Sequence, residues 1–225
     1  MEIDLKGFLE TFRAHLVNCE REEALRYGGG LLERELVTVP EFYERILAPA
    51  LNSVLVCREN EEKMIWREHV MTGIVRSAVE MSFPYVLRAR DARNLSAPLG
   101  RVMLACPEEE YHELGARMGA DFYTMAGYET VFIGANTPMA NILSAARELK
   151  PDVVSLSVSN YLNLVPLGRI VAGLRAELPA GTRIYVSGSA FRLTNRKASD
   201  FGADALVNTY ADILNARGST DEDRV

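Results

Sequence analysis

Apolar residues in the first 90 positions recur at intervals of three and four, which places them on one face of a helix. This pattern predicts helices at Leu5–Asn18, Glu20–Arg34, Val39–Arg58 and Glu61–Leu87. Pro40 suits a first helical turn, whereas Pro49 and Pro84 are positioned to bend or stop the helices that contain them. The sequence therefore predicts an N-terminal four-helix bundle over residues 1–90.

Helical spacing stops in residues 91–100, where Asn94, Ser96 and Pro98 are typical of a linker. Short apolar runs then alternate with helical stretches and predict strands at Val102–Ala105, Thr130–Ile133, Val153–Ser157, Arg183–Ser187 and Ala205–Asn208. This alternation predicts an α/β fold with a flavodoxin-like, or Rossmann-like, five-stranded parallel sheet over residues 101–217. The polar residues 218–225 are predicted to form a disordered tail.

Composition narrows the range of functions. The 225 residues carry a net charge of −6 and lack a basic stripe, so direct nucleic-acid binding is not expected. Apolar runs are too short for a membrane span, and the first residues do not have the pattern of a signal peptide. The three widely spaced cysteines favour reduced thiols and a cytoplasmic location over a disulfide framework or a zinc site.

The segment after the first predicted strand contains candidate metal-binding chemistry. His112 follows Glu110 by two positions, at the carboxyl end of a parallel strand, where open α/β sheets place their ligands. A carboxylate beside an imidazole fixes its tautomer and raises its basicity, as in many metal sites. The alternative is that the acidic run 108–110 supports a helix N-terminus and that His112 is an ordinary surface residue.

The pattern Glu110-x-His112-x-x-Gly115 resembles the Asp-x-His-x-x-Gly signature of cobalamin-binding domains. In that family the protein histidine replaces the cofactor's own dimethylbenzimidazole as the lower axial ligand of cobalt. The resemblance implies that His112 ligates the cobalt of adenosyl-, methyl- or hydroxocobalamin, with Glu110 holding its other ring nitrogen. The sequence departs from the signature at position 110, where the family carries Asp.

Two further pairs of small residues carry the same resemblance. Ser155-x-Ser157 and Gly188-Ser189 follow later strands, where the family has a Ser-x-Thr/Leu pair and a Gly-Gly pair along the cofactor's nucleotide tail. The resemblance implies that these residues line the tail, with Ser189 narrowing its channel where a second glycine would stand. Taken alone, the serines could equally be strand residues bonded to nearby backbone.

The chain is similar in particular to the sensor half of MerR-type, cobalamin-dependent light-responsive repressors, notably around Ile133–Pro138. In those proteins a helical bundle covers the upper corrin face with a Glu-His pair and a tryptophan ten residues before the glutamate. The resemblance implies that Glu68 and His69 lie near the upper ligand, with His69 a possible upper-face ligand, although a partly buried bundle histidine is the alternative. Arg58 stands at the tryptophan position, and Trp66 is the nearest aromatic candidate.

These observations predict a stand-alone cobalamin sensor, which need not be an enzyme, that responds to light or to the type of cobalamin. It would act through a partner protein, either a transcription regulator or a methyltransferase, and it could form a homo-oligomer. The main alternative is a corrinoid methyl carrier of a methyltransferase system. A receiver or nucleotide-binding domain is disfavoured, because no Gly-x-Gly-x-x-Gly follows the first strand. An adenosylcobalamin mutase would need a separate substrate barrel.

Overall fold

A computed structural model of the chain describes residues 4–54 and 61–221. Its contacts divide the chain into two compact units, Met1–Arg88 and Ala89–Val225. The described part of the first unit is helical, and the second holds a five-stranded parallel sheet with helices on its faces. The predicted α/β class is confirmed. Within the described ranges, no helix has both the length and the apolar content needed to cross a membrane.

The helical unit consists of α1 (Leu5–Val17), α2 (Arg21–Glu33), α3 (Val39–Glu41), a π-helical segment (Phe42–Leu47), α4 (Ala48–Val54) and the first part of α5 (Glu61–Asp91). Residues at three- and four-residue spacing bury completely, among them Phe12 and Leu16 of α1. The Phe12 ring meets the Phe42 ring edge to face, with centroids 6.0 Å apart. The spacing that predicted the helices is therefore the spacing that builds their core.

The third predicted helix, Val39–Arg58, differs from a uniform α-helix. Residues Phe42–Leu47 form π-helical hydrogen bonds, and α-helical bonding resumes at Ala48. Pro49 follows at once, and proline has no N–H to donate to the carbonyl four residues earlier. A π turn, whose bonds span five residues, thus lies where the proline interrupts the α pattern. Residues 55–60, where this helix was predicted to end, lie outside the described residues.

Helix α5 continues past Pro84 to Asp91, four residues beyond its predicted end at Leu87. The proline removes one main-chain hydrogen bond, but the helix does not stop there. The predicted linker 91–100 is correspondingly shorter in the structure, because its first residue still belongs to the helix. Asn94 adopts a left-handed conformation with φ 51° shortly after the helix ends.

The sheet consists of β1 (Arg101–Ala105), β2 (Glu129–Phe132), β3 (Val153–Ser157), β4 (Arg183–Ser187) and β5 (Ala205–Leu206). All neighbours are parallel, in the order β2-β1-β3-β4-β5. This is the flavodoxin-like order that the alternation of strands and helices predicted. The fifth strand is shorter than predicted, since it ends at Leu206. The order in which the chain adds strands reverses between β1 and β3, and folds of this kind bind their ligands at that point.

The helices of this unit are α6 (Leu114–Ala126), α7 (Met139–Leu149), α8 (Leu164–Glu177), α9 (Ser189–Thr194) and α10 (Tyr210–Asp221). Helix α10 extends into the predicted tail 218–225, of which residues 222–225 lie outside the described residues. Strand β3 is buried on both faces. Its Val154 and Leu156 join the apolar core with α7 and α8, so Ser155 and Ser157 lie on the opposite face.

Candidate functional site

Two loops meet at the carboxyl edge of the sheet, one after β1 and one after β2. The N–H of Cys106 donates to the carbonyl of Gly134 at 2.9 Å, and the N–H of Thr137 donates to the carbonyl of Cys106 at 3.0 Å. Asn136 accepts from the N–H of Glu109 at 2.9 Å through its side-chain oxygen. These bonds fix the backbone of the loop that contains the predicted metal-binding motif.

Glu110 is fully buried in this loop, and donors surround its carboxylate. Its Oε1 accepts hydrogen bonds from the backbone N–H of His112 at 3.1 Å and from the ring Nδ1 of the same residue at 2.6 Å. Its Oε2 accepts from the N–H groups of Ser159 and Asn160, both at 2.8 Å, and from the Asn163 amide at 3.2 Å. The carboxylate therefore joins the loops after β1 and β3.

Electrostatics favour the charged form of this carboxylate. Burial alone would raise the pKa of Glu110, because it penalises the charge. Hydrogen bonds from the His112 side chain and from the backbone N–H groups of Asn160, His112 and Ser159 outweigh that penalty and lower the pKa from 4.5 to about 2. Glu110 is consequently ionised at neutral pH and acts as an acceptor toward the imidazole.

His112 presents its ring at the surface while its Nδ1 faces Glu110. Its side chain is 64% exposed, although the carboxylate it contacts is completely buried. Because ionised Glu110 accepts from Nδ1–H, the neutral imidazole carries its lone pair on Nε2. That is the tautomer in which a histidine ligates a metal through Nε2. Glutamate in place of the family's aspartate still makes this contact at 2.6 Å.

Ser157 ends β3, Gly188 and Ser189 follow β4, and Ser155 lies in the middle of β3. Gly188 follows β4 with φ 107°, and a Cβ there would lie 2.1 Å from the carbonyl oxygen of Val158. The Ser189 hydroxyl donates to the carbonyl of Ser159 at 3.3 Å, in the loop whose N–H groups bind Glu110. Ser189 thus has a bonding role that the sequence did not suggest. By contrast, a Cβ at Gly115, in the first turn of α6, would meet no atom within 4 Å.

The residues predicted for the upper face lie on α5, in the helical unit. Trp66 is 52% exposed, His69 is exposed and Glu68 is partly buried. Trp66 and His69 are three positions apart and are neighbours on one face of the helix, whereas Glu68 lies on another side. The Arg67 guanidinium covers the Trp66 ring at 5.4 Å. Arg58, at the family's tryptophan position, lies outside the described residues.

Sequence reasoning did not assign roles to Asn163 and Cys106 at this edge or to Tyr123 farther along α6. Asn163, at the end of the helical turn after β3 and just before α8, donates to the carbonyl of Glu109 at 3.1 Å as well as to Glu110. Its position just after a strand could have indicated it. Burial raises the pKa of the Cys106 thiol to about 12, helped by Glu110 and Glu113, so this thiol stays protonated. Tyr123 is buried within α6, and its spacing resembles that of an ordinary core residue.

Comparison with known proteins agrees with this geometry. A family model described as "B12 binding domain" matches residues 100–216, which contain the whole sheet and its edge loops. The HTH-type transcriptional repressor CarH of Myxococcus xanthus is 27% identical over 84% of the chain. The aligned segment spans 61% of that repressor, less than two thirds of its length.

Other similar proteins are corrinoid proteins. Trimethylamine corrinoid protein 2 of Methanosarcina acetivorans is 24% identical over 79% of this chain and 90% of its own length. The solved structure of the Methanosarcina barkeri monomethylamine corrinoid protein superposes with a TM-score of 0.73 at 15% identity. It covers 96% of this chain and 98% of that one, so the two share a fold from the helical unit to the end of the sheet.

Proposed function

The chain belongs to the B12-binding domain family, and from that premise we propose that His112 is the lower axial ligand of a cobalamin that serves as a sensor. The cofactor class is cobalamin. The observation that carries the ligand assignment is the buried Glu110 carboxylate, which holds Nδ1 of an exposed imidazole. The sensor assignment is supported by the similarity to a transcriptional repressor.

The residues at this edge of the sheet fit a corrinoid. Cobalt within a corrin ring needs one further donor on its lower face, and an exposed imidazole in the Nε2 lone-pair tautomer is such a donor. The open space beside Gly115 leaves room for a large ligand close to the start of α6. Ser155 and Ser157 supply small hydroxyl side chains on the sheet face toward α6, where they would line the nucleotide tail.

When bound, cobalamin supplies a cobalt centre whose upper ligand can be lost or exchanged, by light or by methyl transfer. The protein residues then have separate tasks. Glu110 keeps the His112 proton on Nδ1 and so keeps Nε2 basic. The N–H groups of Ser159 and Asn160 keep that carboxylate charged by bonding it directly. A change in the bond between His112 and cobalt would consequently be transmitted through Glu110 to the loop after β3.

We extend the proposal to Trp66, Glu68 and His69 as residues that contact the upper ligand. Trp66 and His69 share an exposed face of α5, which suits a pair that packs against a ligand. A sensor requires two ligand states that bind its conformations with different affinity, and repacking of these side chains would provide the difference. The signal would pass to a partner protein, for which a transcription regulator is the first candidate. His69→Ala should change the spectrum of the photolysed state, and an unchanged spectrum would remove His69 from the site.

A corrinoid methyl carrier is the second candidate function. It is favoured by one observation, namely that the alignment with trimethylamine corrinoid protein 2 spans 90% of that protein. In this case the partner would be a methyltransferase. Methylation of the Co(I) form by a simple methyl donor, with release of the demethylated donor, in the presence of a co-purifying methyltransferase would identify the carrier.

The test is a visible absorption spectrum of protein reconstituted in the dark with adenosyl-, methyl- and hydroxocobalamin, before and after green light. Histidine coordination should appear in the wild type and disappear in His112→Ala. His15→Ala is the matched control, because His15 also lies against a carboxylate, with Nδ1 2.7 Å from Glu20. A spectrum that is equal in His112→Ala and wild type would refute the ligand assignment. Binding through His112 without any light response in spectrum or size would refute light as the signal.

A further inference from the structure

A buried hydroxyl on the site side of the sheet lacks a hydrogen bond. Tyr123 of α6 is 1% exposed, and its hydroxyl oxygen has no hydrogen-bond partner among the described residues. Leaving a buried hydroxyl unpaired costs free energy, so such groups usually have a partner that completes them. Burial raises the pKa of Tyr123, which keeps its proton available for donation.

The surroundings of this hydroxyl connect it with the site. Ser155 lies close to this hydroxyl and lowers the pKa of Tyr123 in the manner of a hydrogen-bond donor, against the larger effect of burial. The two hydroxyl groups nevertheless do not have the geometry of a hydrogen bond, so the Tyr123 proton has no acceptor there. Ser155 and Ser157 face the same side of β3, and Ser157 pairs in register with Ser187 of β4. Small side chains therefore lead from the carboxyl edge of the sheet to the Tyr123 hydroxyl.

Tyr185 provides a contrast on the same face of the sheet. It pairs in register with Ser155, and its hydroxyl donates to the carbonyl of Ala216 at 3.4 Å. Both tyrosines have a raised pKa, with burial as the main cause. One phenol in this region thus has a protein acceptor, and the other does not.

Lower-ligand chemistry indicates the missing partner. His112 and the benzimidazole of cobalamin cannot both occupy the lower position on cobalt, so ligation by His112 leaves the base nitrogen as an unpaired acceptor. We propose that Tyr123 donates a hydrogen bond to this displaced base and thereby selects corrinoids whose lower base has an acceptor nitrogen. This inference rests on the proposed function of His112, and it adds a determinant of corrinoid specificity.

The test compares the affinities of two corrinoids for the wild type and Tyr123→Phe. One is cobalamin, and the other is a cobamide with a phenolic lower base, which keeps the nucleotide tail but lacks the nitrogen. Tyr123→Phe should weaken cobalamin binding about five- to tenfold, the value of one hydrogen bond, and should leave the phenolic cobamide almost unaffected. Equal effects on both corrinoids, or no effect on either, would overturn the proposal.

Tyr185→Phe is the matched control, because it removes a buried phenol oxygen from the same face of the sheet. Its effect should be the same for both corrinoids. The spectrum of wild-type protein with cobalamin separates the two hypotheses: without histidine coordination, the proposed function fails and this inference with it. With histidine coordination but no discrimination by Tyr123, the inference fails alone.

Thermal unfolding without cobalamin gives a second measurement. Because Tyr123→Phe removes an unpaired hydroxyl, its melting temperature should equal or exceed that of the wild type. A marked fall would show that the hydroxyl already has a partner, and it would overturn the proposal.

Discussion

Two histidine–carboxylate pairs of almost equal length occur in different units of the molecule. His15 Nδ1 is 2.7 Å from Glu20 in the helical unit, and His112 Nδ1 is 2.6 Å from Glu110 at the edge of the sheet. Glu20 is 42% exposed, whereas Glu110 is completely buried. The contact distance is therefore nearly the same in both pairs, and burial of the carboxylate is what separates the proposed ligand site from the other pair.

The two pairs also differ in what else binds the carboxylate. His15 lies in the last turn of α1, and Glu20 stands just before α2, so their contact spans a turn between helices. Glu110 instead accepts further bonds from residues about fifty positions away in the chain. The first pair stabilises a local connection. The second ties the histidine to the tertiary structure of the sheet edge.

The largest expected difference between the pairs concerns loss of the carboxylate. Glu110→Ala should lower the free energy of unfolding by about 2–4 kcal/mol, because it leaves the partly buried N–H groups of Ser159 and Asn160 without this acceptor. Urea unfolding followed by circular dichroism measures this loss. If Glu110→Ala and Glu20→Ala cost the same, burial would not be the feature that separates the two pairs.

The second-largest expected difference between the pairs is the loss of stability at low pH, which should depend on Glu110. Folding lowers the pKa of Glu110 from 4.5 to about 2. Its contribution to stability is therefore complete above pH 4.5 and is lost as the pH falls from 4.5 to about 2. We expect the stability advantage of wild type over Glu110→Gln to shrink as pH falls from about 5 to 2. Denaturant midpoints across this range provide the measurement. A constant difference would show that the pKa of Glu110 is not lowered by folding.

Asn163 should have an intermediate effect. Asn163→Ala removes the amide that bonds both Glu110 and the carbonyl of Glu109, and it should cost about 1–2 kcal/mol of unfolding free energy. Asn160→Ala is the control, since that side chain caps the N–H of Leu162 in its own loop. With cobalamin bound, Asn163→Ala should also weaken the spectral signature of histidine coordination more than the control does. The reverse order would mean that Asn163 does not position Glu110.

The smallest effect should come from the exposed pair. Glu20→Ala should cost roughly 0.2–1 kcal/mol, since water and salt screen a partly exposed contact between imidazole and carboxylate. The loss should diminish further in high salt, which unfolding experiments with added sodium chloride can measure. A cost above that of Asn163→Ala would contradict the contrast between the two pairs.

The sequence allowed the sheet and the contact between Glu110 and His112 to be predicted, because both depend on local patterns. The apolar run from Val102 to Ala105 and its four counterparts are short and separated by helical stretches, which determines the strand order once crossovers are right-handed. The spacing of Glu110 and His112 placed both residues in one loop. Neither prediction needed contacts between distant parts of the chain.

The burial of Glu110 could not be predicted in the same way. It depends on backbone N–H groups of Ser159 and Asn160, which every residue type except proline supplies, so the side-chain sequence carries almost no signal for it. The sequence also carries no signal for the unpaired hydroxyl of Tyr123, because a buried tyrosine hydroxyl usually has a hydrogen-bond partner. The π-helical segment 42–47 also depends on tertiary packing that the three- and four-residue spacing does not encode.

Gly188 and Gly115 differ in the kind of constraint that acts on them. At Gly188 the carbonyl of Val158 occupies the place of a side chain, so every other residue type is penalised while the protein folds, with or without a cofactor. At Gly115 the space is open, and alanine would be compatible with folding. In related chains that have lost the cofactor but still fold, random substitution should therefore replace Gly115 by other residues. The glycine at position 188 should be retained, because folding itself requires it.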